Sequence, residues 1–347
     1  MPSRDAEGDA GFFARRGFIQ VVAAAAGGLL LQSCSQEEQA LGYLPSATNH
    51  PTFLTPRRGS YPLAGDPSYR PPVGQADVNA HWSLELVGRN GQKKKFDYAE
   101  LYKRANRIAL YTFECIGNPV GGQLIGNARW HVVPLKTILQ EAPGGVSGAK
   151  AVMFEGLDDF YSSISMERCL DDYAFIAMQM NEAPLPGAHG FPARVILPDL
   201  YGMKQPRWLR RITLLESADT TSYWEKRGWA GEVPVKTTSR IDRPQLVRPG
   251  EPFELTGIAF AGKRGIAGVE VSLDDGAHWA ACELVTGERP DVWSLWRYHW
   301  DRPTPGRHRL TVRSTDGTGE LQTAKEHGRS PDGASGYHQI SVDIQNR

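Results

Sequence analysis

The stretch "LYTFECIGNPVGG", residues 110–122, ends a run of β-forming residues on a single cysteine. The run from Ile108 to Phe113 predicts a strand, and the glycines after it predict a turn. Cys115 lies at the rim of that turn, with no second cysteine and no histidine close to it in sequence. The pattern leaves three roles open: a buried inert thiol, a nucleophile activated by a distant base, or a ligand for a soft metal.

Helices and strands alternate on both sides of this stretch, without the regular repeat of a doubly wound fold. "HWSLELVG" (81–88) reads as a strand, "DYAELYKRA" (97–105) as a short helix, and "SMERCLDDYAFIAMQM" (165–180) as a short helix followed by a buried strand. Cys169 in the last segment is predicted to face the core. We therefore predict an α+β domain over residues 76–235.

The composition changes in "KTTSRIDRPQLVRPGEP" (236–252), which reads as a proline-punctuated linker. Short alternating segments follow, among them "GVEVSLDDG" (268–276) and "HWAACELV" (278–285), with turn signals between them. Val269 and Val271 share one face of the first segment, and Asp275-Gly276 is a hairpin signal. The spacing predicts an antiparallel, immunoglobulin-like β-sandwich over residues 236–347, with Cys282 as a buried structural thiol.

The N-terminal segment resembles an export signal. Arg15 and Arg16 precede an apolar run of about 14 residues, which is shorter than the roughly 20 needed to span a membrane. Paired arginines at this place are typical of the twin-arginine route, so residues 1–33 are predicted to direct export. "LQSC" (31–34) resembles a lipidation site at Cys34, although an ordinary cleavage site beside a stray cysteine remains open. With residues 34–75 as a polar tether, we expect a periplasmic or cell-envelope protein with a lipid anchor.

The charge balance argues against nucleic acid as a partner. Lys plus Arg and Asp plus Glu both number 39, whereas nucleic-acid-binding proteins carry a basic face. The chain also has no C-x-x-C-H, H-E-x-x-H or G-x-S-x-G motif.

A second informative stretch, residues 180–212, concentrates cations around two turns and a short apolar strand. Arginine and histidine in such places suit a phosphate, because guanidinium groups bind phosphate oxygens in pairs. The alternative is a structural cluster paired with the acidic segments near residues 158 and 171. The cations are His189, Arg194, Lys204, Arg207, Arg210 and Arg211.

Several long motifs, in order, resemble the sulfite oxidase family of molybdopterin-dependent oxidoreductases between about residues 81 and 325. The matching segments are "TFECIGN" (112–118), "GNARWHVVPLKTIL" (126–139), "FEGLD" (154–158), "MNEAPLPGAHGFPARVILP" (180–198), "LYGMKQPRWL" (200–209) and "YWEKRGW" (223–229). The resemblance implies a molybdenum-molybdopterin cofactor, with Cys115 as the thiolate ligand of the metal. It also implies a C-terminal domain of the kind often used for homodimerisation.

The resemblance further implies cofactor contacts at positions of this chain that match the family motifs. These are Asn118, Asp158, His189, Arg194, Gln205, Pro206 and Arg207. Trp229 stands where the family has its active-site tyrosine, and is thus a second catalytic candidate beside Cys115.

Two departures from the family pattern concern the substrate. The family usually has two arginines directly after the "GN" of the cysteine loop, where this chain has Pro119 and Val120. We expect two-electron oxygen-atom transfer on a small, less charged substrate, with electrons exchanged with a separate carrier such as a periplasmic cytochrome. The alternatives are an S-oxide or N-oxide reductase with the same cofactor, and a non-catalytic lipoprotein that binds a partner.

Overall fold

The computed structural model describes Gly74 and residues 76–242 and 248–345. The predicted export signal, Cys34 and all of the predicted tether except Gly74 lie outside the described residues. Residues 50–347 belong to one compact unit, and the described elements all fall within it.

The described chain is built mainly from strands, with short helices between them. The helices are α1 (Val78–His81), α2 (Tyr98–Arg104), α3 (Leu135–Leu139) and α4 (Met166–Cys169). The strands of the first region are β1 (Ser83–Val87), β2 (Lys93–Asp97), β3 (Arg107–Glu114), β4 (Ile125–Pro134), β5 (Ala151–Gly156), β6 (Tyr161–Ser165), β7 (Phe175–Met180), β8 (Ala183–Pro184), β9 (Arg194–Ile196) and β10 (Leu209–Leu215). Those of the second are β11 (Thr238–Ile241), β12 (Phe253–Phe260), β13 (Ile266–Ser272), β14 (Ala280–Ala281), β15 (Glu283–Val285), β16 (Ser294–Trp300), β17 (Gly306–Asp316) and β18 (His338–Ile344).

Two sheets form the first region. One has the order β2-β1-β10-β5-β6, with β1 and β10 parallel and the other pairs antiparallel. The other has the order β3-β4-β7-β8, with β9 also paired to β7. Leu84 and Leu86 of β1 share one fully buried cluster with Val132 of β4 and Ile176 of β7, so both sheets contribute to a single core.

The predicted local structure of this region is confirmed. The predicted strands near residues 84, 110 and 178 are β1, β3 and β7, and the predicted helix at 97–105 is α2. Asp97 caps α2 by accepting a hydrogen bond from the Glu100 backbone N–H at 2.7 Å. Cys169, at the end of α4, is fully buried as predicted.

The second region contains two four-stranded antiparallel sheets, ordered β11-β12-β16-β15 and β14-β13-β17-β18. Buried side chains from both sheets, including Leu255, Val269, Val271 and Leu310, share one core, which confirms the predicted face of β13. Asp275 and Gly276 both have positive φ, at 60° and 90°, as the predicted hairpin turn requires.

Two predictions about this region were wrong in detail. The predicted linker 236–252 contains β11, because Ile241 packs into the sandwich core. The segment 278–285 is two strands rather than one: β14 pairs with β13, and β15 pairs with β16 in the facing sheet. Cys282 lies where the chain changes sheets and is half-buried rather than buried, because a residue at such a corner cannot lie fully between the sheets.

The two regions are in direct contact near the end of β3. The backbone N–H of Trp293, just before β16, donates to the Thr112 hydroxyl at 2.9 Å. No helix in the described part of the chain is long and apolar enough to cross a membrane.

Candidate active site around Cys115

Cys115 lies directly after β3, at the start of the loop 115–124 that leads into β4. Its backbone N–H donates to the Leu124 carbonyl at 2.9 Å, so the Cys115 backbone is fixed at the point where the β3–β4 ladder ends. The residue is 8% exposed. The β3–β4 pair therefore positions Cys115 at the start of the loop 115–124.

Asn118 closes the loop from inside. Its side-chain Oδ1 accepts from the Leu124 backbone N–H and its Nδ2 donates to Glu114 Oε1, both at 2.9 Å. Its own backbone N–H donates to the Cys115 carbonyl at 2.8 Å. Both ends of the Asn118 amide thus hold the loop, and its predicted contact with a cofactor stays a prediction.

The groups around the thiol shift the pKa of Cys115 in opposite directions. Burial raises the pKa of Cys115, and the neighbouring Glu114 acts in the same direction. The Gly117 backbone N–H and the charge of Arg329 lower it. A soft metal would shift this balance towards the thiolate, because coordination replaces the proton.

Arg329 is a residue that sequence reasoning missed. It lies in an exposed loop between β17 and β18, on the sandwich side of the molecule. Neither periodicity nor spacing links this loop to Cys115, so no local signal could have found it.

Arg194 lies beside the strand that carries the thiol. It is the first residue of β9 and only 1% exposed. Its guanidinium carbon is 4.1 Å from the Phe113 ring centroid and 5.4 Å from that of Trp130, and its Nη1 donates to the His189 carbonyl at 3.3 Å. Stacking on two aromatic faces holds this cation against Phe113, two residues before Cys115 in the sequence.

Arg207 joins the same cluster through the turn 187–190. Its Nη1 donates to the Ala188 carbonyl at 2.7 Å, and its guanidinium stacks 4.1 Å from the Trp208 ring centroid. Gly190 has φ of 109°, and a Cβ there would lie 3.0 Å from the Arg194 Cβ and 3.1 Å from the Arg207 Cβ. The glycine lets the turn pass between the two arginines.

Asp158 borders the cluster from the turn after β5. A Cβ at Gly156 would lie 2.4 Å from Asp158 Oδ1 and 2.8 Å from the Arg207 carbonyl oxygen. Burial raises the pKa of Asp158, while the Phe160 backbone N–H and the charge of Arg207 oppose that effect. Of the predicted cofactor contacts, Asp158, His189, Arg194 and Arg207 are thus brought together by three loops and the start of β9.

Gln205 and Pro206 instead make hydrogen bonds within the protein. Gln205 is 1% exposed; its Oε1 accepts from the Leu197 backbone N–H at 2.9 Å, and its Nε2 donates to the Leu200 carbonyl at 2.7 Å and the Tyr111 hydroxyl at 3.1 Å. The Pro206 carbonyl accepts from the Val195 backbone N–H at 3.0 Å. Because the Gln205 amide is used inside the protein, a cofactor contact at this position would have to involve its backbone.

Three of the predicted cations are paired with carboxylates. Lys204 is 1% exposed and binds Glu225, Arg210 lies 3.1 Å from Asp159, and Arg211 lies 2.9 Å from a carboxylate of β1. The structural alternative is confirmed for Arg210, which pairs with the acidic segment near residue 158, whereas Lys204 and Arg211 pair with carboxylates elsewhere in the chain. Of the six cations predicted in residues 180–212, His189, Arg194 and Arg207 stay the candidates for anion binding.

Trp229 lies half-buried in a segment that meets the Arg329 loop. Its backbone N–H donates to the Trp224 carbonyl at 3.2 Å, and the two indole rings are 6.5 Å apart. The next backbone N–H, of Ala230, donates to the Pro331 carbonyl at 2.9 Å. This places the predicted second catalytic residue beside the loop whose cation acts on Cys115.

Comparison with known proteins assigns both regions. Residues 71–224 match the oxidoreductase molybdopterin binding domain, and residues 232–344 match the Mo-co oxidoreductase dimerisation domain. The chain is 30% identical to mitochondrial sulfite oxidase of Mus musculus over 277 residues, which are 65% of this chain and 50% of that protein. It is 26% identical to nitrate reductase [NADH] 1 of Arabidopsis thaliana over 281 residues, 62% of this chain and 30% of that protein.

A solved structure shares the fold. The sulfane dehydrogenase SoxCD from Paracoccus pantotrophus superposes with a TM-score of 0.66 at 24% identity, covering 76% of this chain and 75% of that one.

The fold and the site define a molybdopterin-binding oxidoreductase domain followed by a dimerisation domain. The chain belongs to the sulfite oxidase family of molybdopterin-dependent oxidoreductases, whose cofactor is the molybdenum cofactor. It spans about half the length of the sulfite oxidases it matches.

The residues around Cys115 fit such a cofactor. In the described residues, no group of three or more His, Cys, Asp or Glu side chains is arranged to hold a bare metal ion. A single thiol instead suits a metal that arrives with other ligands of its own. The two arginines that flank Gly190, Arg194 and Arg207, suit the phosphate that a pterin cofactor carries.

Proposed function

We propose that this chain is a molybdenum-cofactor oxidoreductase that performs two-electron oxygen-atom transfer on a small substrate. The observation that carries the proposal is the Cys115 thiol directly after β3, the strand whose Phe113 ring carries the stacked Arg194 guanidinium. When bound, the cofactor would supply the redox chemistry and accept or donate the oxygen atom.

The protein residues would divide the remaining work. Cys115 would bind the metal as a thiolate, and its proton would be released on loading. His189, Arg194 and Arg207 would hold the cofactor phosphate, with Asp158 at its edge. Arg194 is the best placed of these, because its two aromatic neighbours fix its guanidinium before any ligand arrives.

The residues of the cysteine loop support a substrate of low charge. Pro119 and Val120 carry no charge where the family usually has two arginines. Among the described residues, Arg329 is the cation whose charge lowers the pKa of Cys115. Trp224 and Trp229 add aromatic surface next to the Arg329 loop. We propose a neutral or singly charged, partly apolar substrate rather than sulfite.

A metal analysis tests the proposed cofactor. Protein produced with its N-terminal segment should contain about one molybdenum per chain and release a fluorescent pterin on denaturation. Cys115→Ser should lose activity by more than about 100-fold, because the soft ligand is gone while the side-chain volume hardly changes. Cys282→Ser is the matched control and should keep both metal and activity; full activity in the Cys115 variant would end the assignment.

Steady-state kinetics test the proposed substrate class. Sulfite oxidation with an artificial electron acceptor should be slow in the wild type, and Pro119→Arg with Val120→Arg should raise kcat/KM for sulfite about tenfold. Rapid sulfite oxidation by the wild type would contradict the proposal and would direct attention to Arg329. A reductase of S-oxides or N-oxides would instead turn over those compounds with a reduced dye.

The carrier, the assembly and the location are part of the same proposal. Electrons would pass to or from a separate redox protein such as a periplasmic cytochrome, so an isolated cytochrome should support turnover while NADH should not.

The immunoglobulin-like sandwich would form a homodimer, which light scattering would detect as twice the chain mass. Residues 1–33 would direct twin-arginine export and Cys34 would carry the lipid, so labelled fatty acid should be lost in Cys34→Ser.

A further inference from the structure

The outer side of the Cys115 loop lies against the sandwich. Arg240 of β11 donates from Nη1 to the Gly122 carbonyl at 3.0 Å. Its Nε donates to Asp242 Oδ1 at 2.8 Å, which fixes the guanidinium in one orientation. A charged donor from the second region is therefore held in place on the backbone of the loop.

A second contact lies one residue earlier in the loop. His338, the first residue of β18, packs onto Gly121, where an added Cβ would lie 1.9 Å from the His338 Cδ2. Gly121 has φ of 69°, so both the backbone conformation and the imidazole ring demand glycine here. The Ile241 backbone N–H donates to His338 Nδ1 at 3.0 Å, which anchors the ring to β11.

These contacts connect to the thiol through few bonds. A Cβ at Gly122 would lie 2.3 Å from Asn118 Oδ1, so the residue held by Arg240 abuts the side chain that closes the loop. The Asn118 backbone N–H in turn donates to the Cys115 carbonyl. A displacement at Gly122 would therefore reach Cys115 through Asn118.

The space between the loop and the sandwich is small. A cavity of about 10 Å³ lies between Glu114, Asn118 and Val120 on one side and Thr238 and Ser335 on the other. This is about the space of one water molecule. Close packing of this kind transmits displacement rather than absorbing it.

We propose that the sandwich is part of the metal site, with Arg240 and His338 as positioning residues that hold the Cys115 thiol where the metal binds. The inference rests on the proposed function of Cys115 as the ligand. It gives the region that matches a dimerisation domain a second task, carried out within its own chain.

Alkylation of the metal-free full chain tests the proposal without using activity. The protein is produced without the cofactor and treated with iodoacetamide, and the modification of Cys115, Cys169 and Cys282 is followed separately by peptide mass spectrometry. Arg240→Ala should raise the rate at Cys115 about tenfold, because the loop opens more often. Cys169 and Cys282 should keep their rates, and Arg240→Lys should restore much of the protection at Cys115.

Two comparisons separate positioning from other effects. Arg313→Ala removes a similar ion pair with Glu270 on the other sheet, and should leave Cys115 at its wild-type rate. A purely electrostatic role of Arg240 predicts slower alkylation in Arg240→Ala, because a lost positive charge disfavours the reactive thiolate.

A double-mutant cycle tests the second contact. Gly121→Ala should accelerate alkylation of Cys115, and a smaller acceleration in the background of His338→Ala would show that the ring is what the methyl group meets. Unchanged or slower Cys115 alkylation in Arg240→Ala, equal acceleration at all three cysteines, or strict additivity in the cycle would overturn the proposal. A failure of the proposed function would appear separately, as protein without molybdenum.

Discussion

Glu114 and Asp316 are both buried carboxyl groups at the last residue of a strand, yet their surroundings act on them in opposite ways. Glu114 ends β3 beside the metal-binding candidate and is 6% exposed; Asp316 ends β17 in the sandwich and is 1% exposed. Burial raises the pKa of Glu114 to about 7, and the Asn118 amide and the charge of Arg240 only partly oppose it. In the described structure its Oε2 has no hydrogen-bonding partner.

Neighbouring groups donate hydrogen bonds to both carboxylate oxygens of Asp316. Burial by itself raises its pKa, but the Thr318 hydroxyl, the Arg264 guanidinium and the backbone N–H groups of Thr318 and Glu320 together lower it to about 2. The Arg264 Nε donates to Oδ2 at 2.8 Å, and the Thr318 hydroxyl donates to Oδ1 at 2.6 Å. The number of donors, rather than burial, decides which buried carboxyl stabilises the fold.

The largest expected effect comes from removing the bound carboxylate. Asp316→Ala should lower the free energy of unfolding at pH 7 by about 4 kcal/mol, because the Arg264 guanidinium and several donors lose their partner. Urea denaturation measures this, with exposed Asp301→Ala as the control. The stabilisation by Asp316 is present above its unfolded pKa near 3.8 and should be lost as the pH falls towards about 2. A decrease in the free energy of unfolding below about 1 kcal/mol would contradict the conclusion that the donors around Asp316 stabilise the fold.

Glu114 should show the opposite sign and a smaller effect. Its folded pKa lies above the unfolded value of 4.5, so its contribution to stability is present below pH 4.5 and is lost as the pH rises through about 7. In the metal-free protein, Glu114→Gln should therefore match the wild type near pH 4.5 and be about 3 kcal/mol more stable near pH 9. Equal stability of the two proteins across this range would show that Glu114 is better solvated than its burial indicates.

The smallest expected effect belongs to an exposed carboxylate with an equally low pKa. The side chain and backbone of His278 lower the pKa of Asp274 to about 2, but this pair lies on the surface. Asp274→Ala should leave the melting temperature within about 2 °C of the wild type, since water replaces most of what is lost. A shift as large as that of Asp316→Ala would mean that a low pKa alone, without burial, marks a stabilising group.

The sequence predicted those features that depend on neighbours along the chain. The β3 strand before Cys115, the α2 helix and the two-sided pattern of Val269 and Val271 follow from periodicity, which local geometry imposes directly. The long motifs around Cys115 and His189 were sufficient to identify the family. They also pointed to Asp158, Arg194 and Arg207, which the fold then brought together.

Only the tertiary structure decided which residues share a site, because contacts between distant segments leave no periodic trace in a sequence. Arg194 and Arg210 read alike as cations near apolar strands, yet Arg194 stacks on Phe113 of β3 and Arg210 pairs with Asp159. Arg329 and Arg240 reach the cysteine loop from the sandwich, whose packing against the first region sets their distances. Local sequence thus determined that β3 forms and that Cys115 follows it. The packing of the two regions determined which charged and hydrogen-bonding side chains lie around the cysteine loop.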